Sequence, residues 1–130
     1  MNKQIKKVLG IFSLILISSC SSGNQGQVCT LIGCSNGLTV NLKGTVPASY
    51  KLAVKSNGQE VASKECNETT QCGTSISFDN IENTAITLEL TPSGAAAKSQ
   101  DFTVEYKDLK PNGESCPPVC KRGTVEFTIN

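Results

Sequence analysis

The chain has 130 residues, 12 basic against 11 acidic, with seven cysteines and neither histidine nor tryptophan. A length of this order builds one domain. Without histidine no Ser-His-Asp triad can form, and a net charge near zero leaves no electrostatic footprint for nucleic acid.

The first seven residues carry Lys3, Lys6 and Lys7 and no acid. From Val8 to Ile17 an apolar run follows, interrupted only by Gly10 and Ser13. A stable membrane-spanning helix needs roughly 20 apolar residues, so this run is too short to span. It has the length and the basic flank of a signal-peptide core.

The run ends Ile17-Ser18-Ser19-Cys20. This resembles the lipobox of bacterial lipoproteins, with Ile17 where leucine is usual. The resemblance implies that residues 1–19 are a cleaved signal peptide. It also implies that Cys20 takes a diacylglycerol on its sulfur and becomes the acylated, palmitate-type N-terminus. The alternative is an ordinary secretory signal in which Cys20 is incidental. The cysteine count favours the lipid: setting Cys20 aside leaves an even six, Cys29, Cys34, Cys66, Cys72, Cys116 and Cys120. An even set in a small exported domain reads as a disulfide framework. In the sorting pattern of Gram-negative lipoproteins, Asp after the lipidated cysteine retains the protein at the inner membrane. Ser21 stands there, which implies the outer membrane in a Gram-negative host.

Cleavage removes three lysines, leaving nine basic residues against eleven acidic ones, so the mature chain is mildly acidic. Residues 20–28 then form a lipidated tether, small, polar and glycine-containing from Ser21 to Val28, with too little apolar content to pack.

From residue 29 to 130 the chain alternates with the period of two that strands require. Leu38, Val40 and Leu42 alternate with polar residues, as do Tyr50, Leu52 and Val54, then Ile76 and Phe78. The pattern continues at Ile86, Leu88 and Leu90, at Phe102, Val104 and Tyr106, and at Val125, Phe127 and Ile129. Asn57-Gly58 supplies the positive φ angles of a type I′ turn, predicting a hairpin over 50–65. Pro92-Ser93-Gly94 and Pro111-Asn112-Gly113 are further turns, and 94–98 (GAAAK) could close one helical turn. About seven short strands with one apolar face each predict an all-β, antiparallel two-sheet sandwich, immunoglobulin-like or transthyretin-like. The five aromatic residues outside the signal fall on the apolar alternation and read as core.

The six cysteines form three close pairs along the chain. Loop-closure entropy favours near neighbours, so the expectation is Cys29–Cys34, Cys66–Cys72 and Cys116–Cys120. Each would close a small loop that stabilises by roughly 2 kcal/mol. Cross-pairing of Cys29 and Cys34 with Cys116 and Cys120 would close a long loop and is left to geometry. Cys116-Pro117-Pro118-Val119-Cys120 has three residues between its cysteines, where thioredoxin-like redox chemistry uses two.

Gly33-Cys34-Ser35-Asn36-Gly37 matches the G-x-S-x-G pattern, but it precedes a strand and lacks the following helix of a nucleophile elbow. Asp79, Glu82 and their neighbouring asparagines lack EF-hand spacing and read as a solvated loop. Asn67-Glu68-Thr69 fits the N-glycosylation pattern by chance.

Residues 29–130 also resemble small cysteine-rich envelope lipoproteins. The shared features are Gly37-Leu38-Thr39-Val40 after a cysteine pair, Pro47-x-x-Tyr50, the central Cys66/Cys72 pair, and Pro111-Asn112-Gly113 before Cys116-Pro117-Pro118-Val119-Cys120. That resemblance carries fold and location, not an activity. The expectation is a non-enzymatic, lipid-anchored envelope module with no cofactor and no metal. Its partners are the membrane and an envelope protein or polysaccharide. The alternative is a redox or metal-handling envelope protein using the paired cysteines. A hydrolase with an unfamiliar site ranks last.

Overall fold

The computed structural model describes Gly26 and residues 28–130. Residues 1–19, Cys20 and most of the tether lie outside the described residues. Eight strands form: β1 (Gly37–Lys43), β2 (Tyr50–Ser56), β3 (Gln59–Cys66), β4 (Ser75–Asp79), β5 (Ala85–Pro92), β6 (Lys98–Thr103), β7 (Tyr106–Leu109) and β8 (Cys120–Thr128). They make two four-stranded sheets, ordered β4-β1-β8-β7 and β3-β2-β5-β6. The expected all-β two-sheet sandwich is therefore the fold.

Alternation explains which face each strand buries. Leu38, Val40, Leu42, Ile76, Phe78, Val125 and Phe127 of the first sheet join Tyr50, Leu52, Val54, Ile86, Leu88 and Leu90 of the second in one core. Each fully buried Leu, Val or Phe contributes roughly 1.5–3 kcal/mol relative to exposure. A one-residue slip would turn every one of these side chains to solvent, so the core sets the register. The β2–β3 hairpin turns at Asn57 (φ 51°) and Gly58 (φ 77°), both in the left-handed region that a type I′ turn needs.

Three details differ from expectation. The sheets are not purely antiparallel, because β1 runs parallel to β8, with Val40 opposite Val125 and Leu42 opposite Phe127. A parallel neighbour does not disturb the period-two pattern, so alternation cannot reveal it.

The single strand expected over Phe102–Tyr106 is two. β6 ends at Thr103, Val104 is buried between the sheets, and β7 starts at Tyr106 in the other sheet. Gly123 makes this crossing fit: it lies opposite Tyr106 and Leu38, and a Cβ there would collide with Val104 Cγ1 and the Tyr106 ring. Phe102 and Tyr106 are accordingly only half-buried, whereas Tyr50, Phe78 and Phe127 are core.

Finally, 94–98 holds no helical turn: Ala95 N bonds Pro92 O at 3.3 Å, closing a turn over Pro92–Ala95, and Lys98 already begins β6. Gly94 at φ 75° takes the chain out of helical geometry.

Candidate functional site

The strand directions sort the loops to two ends. β1 and β8 start, and β4 and β7 finish, at the end where the chain enters from its N-terminal side. The opposite end gathers the loops 44–49, 67–74 and 93–97 with the C-terminus. Ser93 N bonds Ser49 O at 2.9 Å, Leu42 N bonds Thr74 O at 2.7 Å, and Ile129 N bonds Lys43 O at 2.8 Å.

At the entry end, residues 29–36 lie alongside 112–122. The disulfides are Cys29–Cys116 and Cys34–Cys120, with Cα separations of 5.6 and 6.0 Å. The local pairs Cys29–Cys34 and Cys116–Cys120 are therefore corrected, while Cys66–Cys72 pairs as expected, with Cα atoms 5.6 Å apart.

Geometry explains the difference. In an extended segment, five residues span up to about 16 Å, far beyond the reach of a disulfide. Segments 29–34 and 116–120 lie side by side and run in the same direction, continuing the parallel β1–β8 pairing, so the cysteines meet across the two segments rather than along either one. The Cys66–Cys72 loop instead reverses on itself. Asn67 Oδ1 accepts from Thr69 N, Thr69 Oγ1 and Thr70 N at 2.9, 2.6 and 2.8 Å, and Asn67 N donates to Thr70 O at 3.1 Å. That side-chain-closed turn delivers Cys72 to Cys66.

Polar contacts complete the entry end. Asn112 Oδ1 accepts from Thr30 Oγ1 (2.6 Å) and Ile32 N (2.9 Å), and its Nδ2 donates to Ile32 O (2.8 Å) and Pro117 O (2.7 Å). Asn36 Nδ2 donates to Glu82, and Asn36 Oδ1 accepts from Lys121 N at 2.8 Å. Ser35 Oγ donates to Asp79 Oδ1 at 2.8 Å, and Arg122 Nη1 lies 3.3 Å from the same oxygen. The Ser35 hydroxyl first, then Arg122, hold the Asp79 carboxyl below its ordinary range.

These contacts account for two motifs. Ser35 of the G-x-S-x-G pattern is a hydrogen-bond donor to a carboxylate, and the Asp79–Glu82 acids bind protein donors and a guanidinium. The sequence reading passed over Asn112 as a turn residue. Its place just before the Cys116/Cys120 pair was the available signal.

The far end holds a cleft of about 360 Å³. Val46, Pro47 and Tyr50 line it on one side, and the Cys66–Cys72 loop on the other. The Tyr50 hydroxyl is buried at its edge and finds no hydrogen-bond partner among the described residues. Burial pushes its pKa up. A buried hydroxyl without a partner is uncommon in folded proteins.

All six framework cysteines are in disulfides, and Cys116 and Cys120 are not each other's partners. Among the described residues no cluster of three or more His, Cys, Asp or Glu side chains is placed to hold a metal ion. Three disulfides are typical of domains that fold outside the cytoplasm. Compared with known proteins, the chain matches no family model, no curated protein and no solved structure.

Proposed function

We propose that this protein is a lipid-anchored, non-enzymatic module of the cell envelope, held by acylated Cys20 and presenting its far-end loops to an envelope protein or polysaccharide. In a Gram-negative host, Ser21 directs it to the outer membrane. One observation carries the reading. The segment that follows the tether is bonded to the body of the fold by two disulfides, Cys29–Cys116 and Cys34–Cys120. Such a clamp suits a chain that is held from its N-terminal side, because it prevents the entry segment from peeling away from the segment that leads into β8. The loops at the opposite end, including the Tyr50 cleft, then face away from the anchor.

The test is the intact mass of protein purified from membranes and alkylated without reduction. The reading requires a chain starting at Cys20, carrying a diacylglyceryl group, six hydrogens lighter than the reduced form and free of alkylation. Crosslinking in live cells through a photoreactive residue at Ala48 or Glu68 should then trap one recurrent neighbour. A mass without lipid, or crosslinks to no specific neighbour, would overturn it.

A further inference from the structure

Exposed aliphatic side chains are unevenly distributed over the domain. Among the described residues, Val28, Leu31, Ile32, Leu109 and Val119 are large, exposed and gathered at the entry end, while Val61 is on β3 of the other sheet. Leu31 is fully exposed and Val28 nearly so, at 100% and 94%. Leu31 and Ile32 lie between Cys29 and Cys34, and Val119 lies between Cys116 and Cys120, the partners of those cysteines. Leu109 is opposite Cys120 in the β7–β8 ladder. Asn112 fixes the backbone of Ile32 from both sides, and also holds Pro117 O. The staples therefore hold aliphatic side chains outward on a rigid support, where a free segment could have folded them against the core. Gathered exposed apolar side chains of this kind mark a contact surface.

The tether identifies what covers it. From Cys20 to Val28 there are eight peptide steps, at most about 29 Å when fully extended. A lipid on Cys20 thus keeps this end, rather than the far end, against the bilayer. We infer that Val28, Leu31, Ile32 and Val119 insert into the interfacial layer of the membrane that holds Cys20, so that the domain stands on its disulfide-stapled end with the Tyr50 cleft directed away. This rests on the proposed lipid anchor. The lipid tethers the domain and the patch orients it.

The absence of tryptophan from the sequence permits a single-probe test. Leu31→Trp, Val119→Trp and, as control in the far-end loop 93–97, Ala96→Trp are exposed positions whose replacement leaves the core intact. Each lipoprotein is purified from membranes, its intact mass recorded, and then reconstituted into vesicles of phospholipid with brominated or unbrominated acyl chains. The expected result is blue-shifted emission quenched by bromine for the Leu31 and Val119 probes, and unquenched emission for the Ala96 probe. Unquenched emission from all three, in protein whose mass includes the diacylglyceryl group, overturns the membrane contact while the anchor stands. Blue-shifted but unquenched emission at Leu31 overturns it in favour of a second copy or another protein covering the patch. Equal quenching at Ala96 overturns the end-on orientation. A mass without lipid removes the anchor and the inference together.

Discussion

Cys34 and Cys120, 86 positions apart in the chain, are bonded with their Cα atoms 6.0 Å apart, and Cys29 is bonded to Cys116 on the same two segments. The two bonds therefore constrain one long loop twice. In the chain-entropy account the first to form contributes about 4.5 kcal/mol, and the second, closing a residual ring of about eleven residues, adds about 3 kcal/mol. Replacing either pair by alanine is expected to lower the unfolding free energy by about 3 kcal/mol, and replacing both pairs by about 7 kcal/mol, more than the two losses combined. Urea midpoints of the three variants check this. Simple additivity would show that the two bonds do not share a loop.

Gly123 and Val104 occupy one space between them. In Gly123→Ala the new Cβ meets Val104 Cγ1 and the Tyr106 ring, and overpacking of this kind costs about 1–3 kcal/mol. The melting temperature should fall by about 4–8 °C for each kcal/mol lost. Adding Val104→Ala should recover part of the loss, because the two substitutions relieve each other. A double variant no better than the sum of the singles would mean that the crossing tolerates the methyl group by another route.

Tyr50 is 5% exposed, and its hydroxyl has no partner among the described residues. Removing a buried polar group that makes no hydrogen bond removes a desolvation cost of about 1–3 kcal/mol. Tyr50→Phe should therefore leave the domain as stable or make it more stable, as read from chemical denaturation. A clear loss of stability would show that the hydroxyl is hydrogen-bonded in solution. A stable Tyr50→Phe protein with reduced crosslinking from Ala48 would assign the hydroxyl to partner binding.

Asp79 has its pKa lowered by the Ser35 hydroxyl and then by Arg122. A carboxyl with a lowered folded pKa stabilises the fold above its unfolded value, and that contribution is lost as pH falls through the folded value. Stability from this site should thus be constant above the ordinary aspartate range near about 4 and decline below it. Carboxyl-detected NMR titration should place Asp79 below that range. Ser35→Ala should move it upward more than Arg122→Gln does. An unchanged titration in Ser35→Ala would show that the hydroxyl does not donate to this carboxylate.

Much of the architecture is legible in local pattern. Leu38-x-Val40-x-Leu42 and its counterparts identify the buried faces, because pleating sends alternate side chains to opposite sides wherever a strand lies in the sheet. Asn57-Gly58 locates its hairpin because few other residue pairs accept two successive positive φ angles. Phe102-x-Val104-x-Tyr106 misleads for the same reason that the others succeed. The alternation persists through a point where the chain leaves one sheet for the other, and only Gly123, nineteen residues away, shows that Val104 fills the interior.

The cysteines divide along the same line. That six of them form a framework follows from their even number once Cys20 is set aside. Which sulfur meets which does not. Cys66 and Cys72 find each other because Asn67 closes a turn between them. Cys29, Cys34, Cys116 and Cys120 meet because the segments that lead into β1 and β8 lie side by side. Strand faces, turns and an even cysteine set are local properties, carried by residue type at short spacing. The parallel β1–β8 pairing, the long-range disulfides, the Asn112 clamp and the exposed aliphatic end come from segments brought together across more than eighty residues. Only the packed tertiary structure decides them.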